Sequence, residues 1–88
     1  MEFMYYVYVL WSEKKCRSYV GCAEDMTKRL TQHKSGYVSS TKFTDNWQIV
    51  YHESTPHLSD AMKREMFLKS GAGRTVLARI LKEKDLRS

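Results

Sequence analysis

The chain is short of proline, cysteine, acid and long apolar runs, and each shortage narrows what it can be. A single proline, Pro56, stands among 88 residues, with no linker, repeat or low-complexity tract. The two cysteines, Cys16 and Cys22, form no CxxC pair. His33, His52 and His57 miss zinc-finger spacing, so a structural zinc is not expected. A disulfide between the cysteines would cross a predicted hairpin, and two reduced thiols in a cytoplasmic protein are the expectation. No apolar stretch approaches the roughly 20 residues a membrane-spanning helix needs. Met1–Leu10 lacks a basic leader and a small-residue cleavage site, so no signal peptide is expected.

Acid is scarce relative to base. Fifteen Lys and Arg against ten Asp and Glu leave a net charge of +5. That balance favours a polyanionic partner, nucleic acid ahead of a membrane surface. What is present suffices to fold: hydrophobic residues are 42% and aromatics 12%, against disorder. The length suits one domain over residues 1–88.

The pattern predicts an α+β fold in the order ββαβαα, a small three-stranded antiparallel sheet flanked by helices. Phe3–Trp11 is almost wholly apolar and reads as a central strand buried on both faces. Ser12–Arg17 turns the chain, and Ser18–Cys22 returns as a shorter strand. A turn centred near Lys14 places Tyr8 opposite Tyr19, or one step away, so the two phenols share a patch of sheet. Asp25 can cap a helix to about Lys34, closed by Gly36. A polar loop runs from Tyr37 to Asn46. Trp47–Glu53 alternates as a third strand with Trp47, Ile49 and Tyr51 on one face. Ser59 can cap a second helix ending at Ser70, with Gly71 as its stop. Val76, Leu77, Ile80 and Leu81 mark the inner face of a last helix to about Leu86.

Two charges fall on stripes that should be apolar. Met26, Leu30 and His33 define the sheet-facing side of the first helix. Arg29 lies on or beside it, and His33 is placed to reach a phosphate or a proton. Leu58, Ala61, Met62 and Leu68 define the second helix, and Glu65 sits at i+4 from Ala61 in the same stripe. Lys63 and Arg64 project elsewhere. Each charge alone reads as a boundary residue with its head in water or paired to a neighbour. Together, facing a sheet that offers two tyrosines, they form a candidate site, because buried charges need a partner or a metal.

These strings resemble the GIY-YIG nuclease domain over nearly the whole chain. Tyr6-Val7-Tyr8 and Tyr19-Val20-Gly21 stand where that family has its two tripeptides. Asp25–Gly36 is similar to its first helix, bearing the functional arginine at Arg29. Ala61–Gly71 is similar to the helix bearing the metal-binding glutamate at Glu65. The likeness is to short stand-alone bacterial members, related to the N-terminal domain of the excinuclease C subunit. There are departures. Tyr6 replaces the first glycine, Cys22 stands where the excinuclease branch has lysine, and the single asparagine, Asn46, lies upstream of Glu65 rather than beyond it.

The resemblance implies metal-dependent endonuclease hydrolysis of phosphodiester bonds in DNA, branched or single-stranded, in settings such as DNA repair. Glu65 would hold Mg²⁺ or Mn²⁺. Arg29 would grip the scissile phosphate, with His33 beside it. Tyr8 or Tyr19 would take a proton from water, and the sequence leaves open which. Arg17, Lys28, Lys34 and Lys42 would contact phosphates without reading bases. Two other readings remain: a catalytically weak or inactive nucleic-acid-binding module, and an interaction domain whose charge serves solubility.

Overall fold

The computed structural model describes residues 4–86, and every element packs on one antiparallel sheet. The strands are β1 (Tyr5–Ser12), β2 (Arg17–Ala23) and β3 (Gln48–Thr55), ordered β2-β1-β3. The apolar first strand is therefore central, flanked on both edges, as its composition requires. Its predicted start at Phe3 lies outside the described residues. Helix α1 (Met26–Lys34) follows β2; α2 (Leu58–Lys69) and α3 (Gly71–Glu83) follow β3.

Strand alternation divides the core between the two faces of the sheet. Val7, Val9, Trp11 and Val20 face α2 and α3, packing on Ala61, Leu68 and Leu81. Tyr8, Leu10 and Trp47 face the other way, with Met26 and Leu30 of α1 against them. Both tryptophans satisfy their ring N–H: Trp11 donates to Glu13 and Trp47 to the Thr41 carbonyl. The two layers of helix leave the β2 edge uncovered by any fourth strand, and the candidate site lies there.

The structure corrects several expectations. The hairpin register puts Tyr8 opposite Gly21 and Tyr19 opposite Leu10. The two phenols still point to one face, but diagonally, because the turn is a residue-half later than the symmetric reading placed it. A bulge between Val9 and Leu10 skips Val50, so Tyr51 leaves the Trp47/Ile49 face and joins the core beside Val9. His57 rather than Ser59 occupies the N-cap position of α2. Gly71 does not stop a helix. It begins α3, whose cap is Ser70, the hydroxyl accepting from the Gly73 amide at 3.2 Å. Leu58 and Met62, expected in the buried stripe of α2, are about half exposed, and Ala61 and Leu68 carry the packing. The loop predicted at Tyr37–Asn46 contains a short 3-10 turn, Ser39–Thr41. Asp25 caps α1 as expected, its Oδ1 accepting from the Lys28 amide at 3.0 Å, and Gly36 follows the helix at φ +81°. Among the described residues no helix is long and apolar enough to cross a membrane.

Candidate active site

The site begins with a tyrosine that lies across its neighbouring strand. Tyr8 is 2% exposed, and its phenol passes over Gly21, where an added Cβ would overlap the ring and hydroxyl. Only glycine leaves that room. The Tyr8 hydroxyl then meets His33 Nε2 at 2.9 Å, and His33 Nδ1 meets Thr41 Oγ1 at 2.6 Å. Thr41 donates onward to the Val38 carbonyl at 3.3 Å, so its oxygen accepts from His33 Nδ1–H. Nε2 is left as an acceptor, and Tyr8 donates to it. Burial lowers the His33 imidazole to about 4, helped by the charge of Arg29, so the ring is neutral near pH 7. Burial likewise raises Tyr8 to about 12. The Arg29 guanidinium beside it pulls the other way, while Tyr19 and Glu65 push it up.

Tyr19 rests on the other side of the same histidine, ring centroids 4.9 Å apart. His33 thus joins the two phenols that the strand register only sets diagonally. Lys69 Nζ lies 5.2 Å from the Tyr19 ring centroid and pairs with Glu65 Oε2 at 2.7 Å. Glu65 is half-buried, near enough to raise both the Tyr8 hydroxyl and the Cys22 thiol, the latter raised first by burial. Arg29 Nη1 donates to Gln32 Oε1 at 2.9 Å. Its Nε is buried with no partner, and it forms no ion pair among the described residues. A donor left so costs about 1–3 kcal/mol.

The fold brings Tyr8, Tyr19, Arg29, His33 and Glu65, the five residues singled out in the sequence, near one another beside β2. Sequence reasoning missed two partners. Lys69 stands at i+4 from Glu65, a spacing that pairs charges on a helix and was there to be read. Thr41, which fixes the His33 tautomer, sits in a loop and carried no signal. The four basic residues expected on phosphates are all exposed but lie on separate segments. Arg17 is on β2, its guanidinium 5.5 Å from the Phe43 ring centroid. Lys28 is in the first turn of α1 and Lys34 in its last, beside Trp11 and Asn46. Lys42 follows the 3-10 turn. Asn46 is structural: its Oδ1 accepts from Ser12 Oγ and the Lys14 amide, holding the β1–β2 turn. Arg64 pairs with Glu53 at 3.0 Å on the opposite face of the sheet from His33. Burial raises that carboxyl, but the bonds from Arg64 and Tyr51 bring it below its ordinary value.

The donor set suits one kind of metal. No group of three His, Cys, Asp or Glu side chains gathers among the described residues, which excludes a zinc-like cage of protein ligands there. A lone carboxylate fits a hard divalent ion that keeps several waters and completes its shell with phosphate.

Comparison with known proteins agrees with this geometry. The GIY-YIG catalytic domain profile matches residues 4–75. The chain is 34% identical over 70 residues to the UPF0213 protein SSP2268 of Staphylococcus saprophyticus, covering 75% of this chain and 80% of the relative. No solved structure matches it significantly. A profile spanning both tyrosine strands, α1 and α2 settles the lineage: the chain belongs to the GIY-YIG family of nuclease domains.

Proposed function

We propose that this protein is an endonuclease that hydrolyses phosphodiester bonds in DNA with the help of Mg²⁺ or Mn²⁺. One observation carries the reading. A guanidinium with no carboxylate partner among the described residues, a carboxylate, and a tyrosine hydrogen-bonded to a buried histidine gather beside β2.

Arg29 binds the scissile phosphate. Its planar fork gives paired, charge-assisted hydrogen bonds, and among the described residues no acid pairs with it. Tyr8 orients the attacking water. Its own proton is committed to His33 Nε2, so the lone pairs of its oxygen are free to accept from that water. With its proton hydrogen-bonded to His33, the neutral phenol orients the water rather than deprotonating it, since a phenolate at about 12 and an imidazolium at about 4 are both out of reach near pH 7; the water's proton leaves to solvent. Tyr19, beneath Lys69 and against His33, positions rather than takes protons. Glu65 holds the metal. Bound there, the ion would stabilise the charge developing on the leaving oxygen. Lys69 gives way readily, since an exposed i,i+4 pair is worth only about 0.3–0.5 kcal/mol. Arg17, Lys28, Lys34 and Lys42 hold the backbone without reading sequence. The two free thiols suit a cytoplasmic protein.

The test is a substrate panel: branched, flapped, single-stranded and blunt duplex DNA, each with Mg²⁺, with Mn²⁺ and with chelator. Incision that needs the metal is expected. A second reading has one observation in its favour, that Lys69 occupies the Glu65 carboxylate. On that reading the chain binds nucleic acid without turnover. Salt-sensitive binding with no incision under any metal would establish it and refute the nuclease.

A further inference from the structure

Beside the candidate site runs a groove of about 420 Å³ between β2, α2 and α3. Its volume lies within the range of small-ligand sites. Val20, Leu68, Leu77 and Leu81 line it with apolar surface, Tyr19 borders it along β2, and Lys69 and Arg74 stand as the cations. We propose that this groove receives an unpaired nucleotide of the substrate strand, next to the bond being cut. The proposal rests on the nuclease reading and names the substrate class: strands with at least one unstacked base at the incision point.

Three features point to this occupant. The groove is continuous with the candidate site, since Tyr19, which packs on His33, borders it, and its Lys69 reaches both Glu65 and the Tyr19 ring. Its chemistry is mixed in the way a nucleotide needs. An apolar lining with an aromatic residue at its rim accepts any base by its flat face, and two cations accept the phosphate. Arg74 is also misplaced for stability. It stands in the first turn of α3, where the helix dipole favours acid; that turn has none, and Arg74 has no ion pair among the described residues. A cation held there against the dipole is suited to an anion from outside. A stacked, paired base cannot turn into the groove, whereas a base at a flap, junction or single strand can.

The test is amide NMR on the whole chain without divalent metal, so that binding is read and cleavage is not. Single-stranded hexathymidine should shift the amides of Ser18, Tyr19 and Val20 and of Leu77, Ala78 and Leu81; a blunt duplex should leave them in place. Ala78→Trp, which fills the groove from α3, should lower the ratio of single-strand to duplex affinity about tenfold, the scale of one lost stacking contact. Arg74→Gln should reduce the salt slope of single-strand binding by about 0.7, one phosphate contact. Unmoved groove amides in the parent overturn the proposal, and that measurement does not depend on how any variant folds. So does an Ala78→Trp affinity ratio equal to the parent's in a protein with a native amide spectrum. Failure of the nuclease reading looks different: groove shifts with hexathymidine but no metal-dependent incision would leave the groove as a nucleotide site on a non-cleaving protein.

Discussion

Acidification should weaken the protein in a defined window, and His33 sets it. The imidazole is fully buried and donates to Thr41 while accepting from Tyr8. Burial holds it near 4 in the folded chain. In the unfolded chain it returns to about 6.5. Between those values the unfolded state binds a proton that the folded state refuses. The contribution to stability is therefore complete above pH 6.5 and is lost as the pH falls toward 4. A separation of about 2.5 units is worth about 3 kcal/mol, at a slope of about 1.4 kcal/mol per pH unit. Against the roughly 5–15 kcal/mol that hold a small domain together, this is a large fraction. His52 and His57 are exposed. Glu53, held below its ordinary 4.5, adds its own loss only under that pH. The interval from 6.5 to 4.5 accordingly belongs to His33. Urea unfolding at half-unit steps of pH reads it: the midpoint should fall by about 1–2 M across that interval. In His33→Gln, which cannot titrate, the interval should be flat. A flat interval in the parent, or equal slopes in parent and His33→Gln, would refute the account of His33 as a buried neutral acceptor.

Two glycines give opposite kinds of failure. Gly21→Ala should push the Tyr8 phenol off its strand and break its bond to His33, cutting the incision rate by about a hundredfold, the scale of a misplaced reacting water. Circular dichroism should show a folded protein; full activity would mean that Tyr8 does not orient the water. Gly73→Ala should destabilise, although alanine usually improves a helix by about 1 kcal/mol. A Cβ there would strike the Phe67 carbonyl where α3 turns against α2, so a lower melting temperature is expected, and a higher one would contradict the packing.

Much of this was readable in the residues, for identifiable reasons. β1 is apolar on both faces because it is central, and Asp25 and Gly36 bound α1 by ordinary capping. Arg29 and Glu65 were conspicuous because they break apolar periodicity, a local signal. What could not be read depends on distant partners. The bulge that moves Tyr51 to the other face arises from the β1–β3 pairing, not from the β3 sequence. The Tyr8–His33–Thr41 chain joins three segments 8 and 25 residues apart. Gly71 reads as a stop because glycine ends helices, but Ser70 caps a new helix immediately, and only the packing of α3 on α2 decides between them.

In the proposed chemistry, Glu65 would seat the metal that makes phosphodiester cleavage possible. Incision of a flapped DNA in Mn²⁺, followed for the parent and Glu65→Gln at equal concentration, tests it most directly. Substitution with the amide should abolish product while the amide spectrum stays native. Cleavage by Glu65→Gln at the parent's rate would contradict the account.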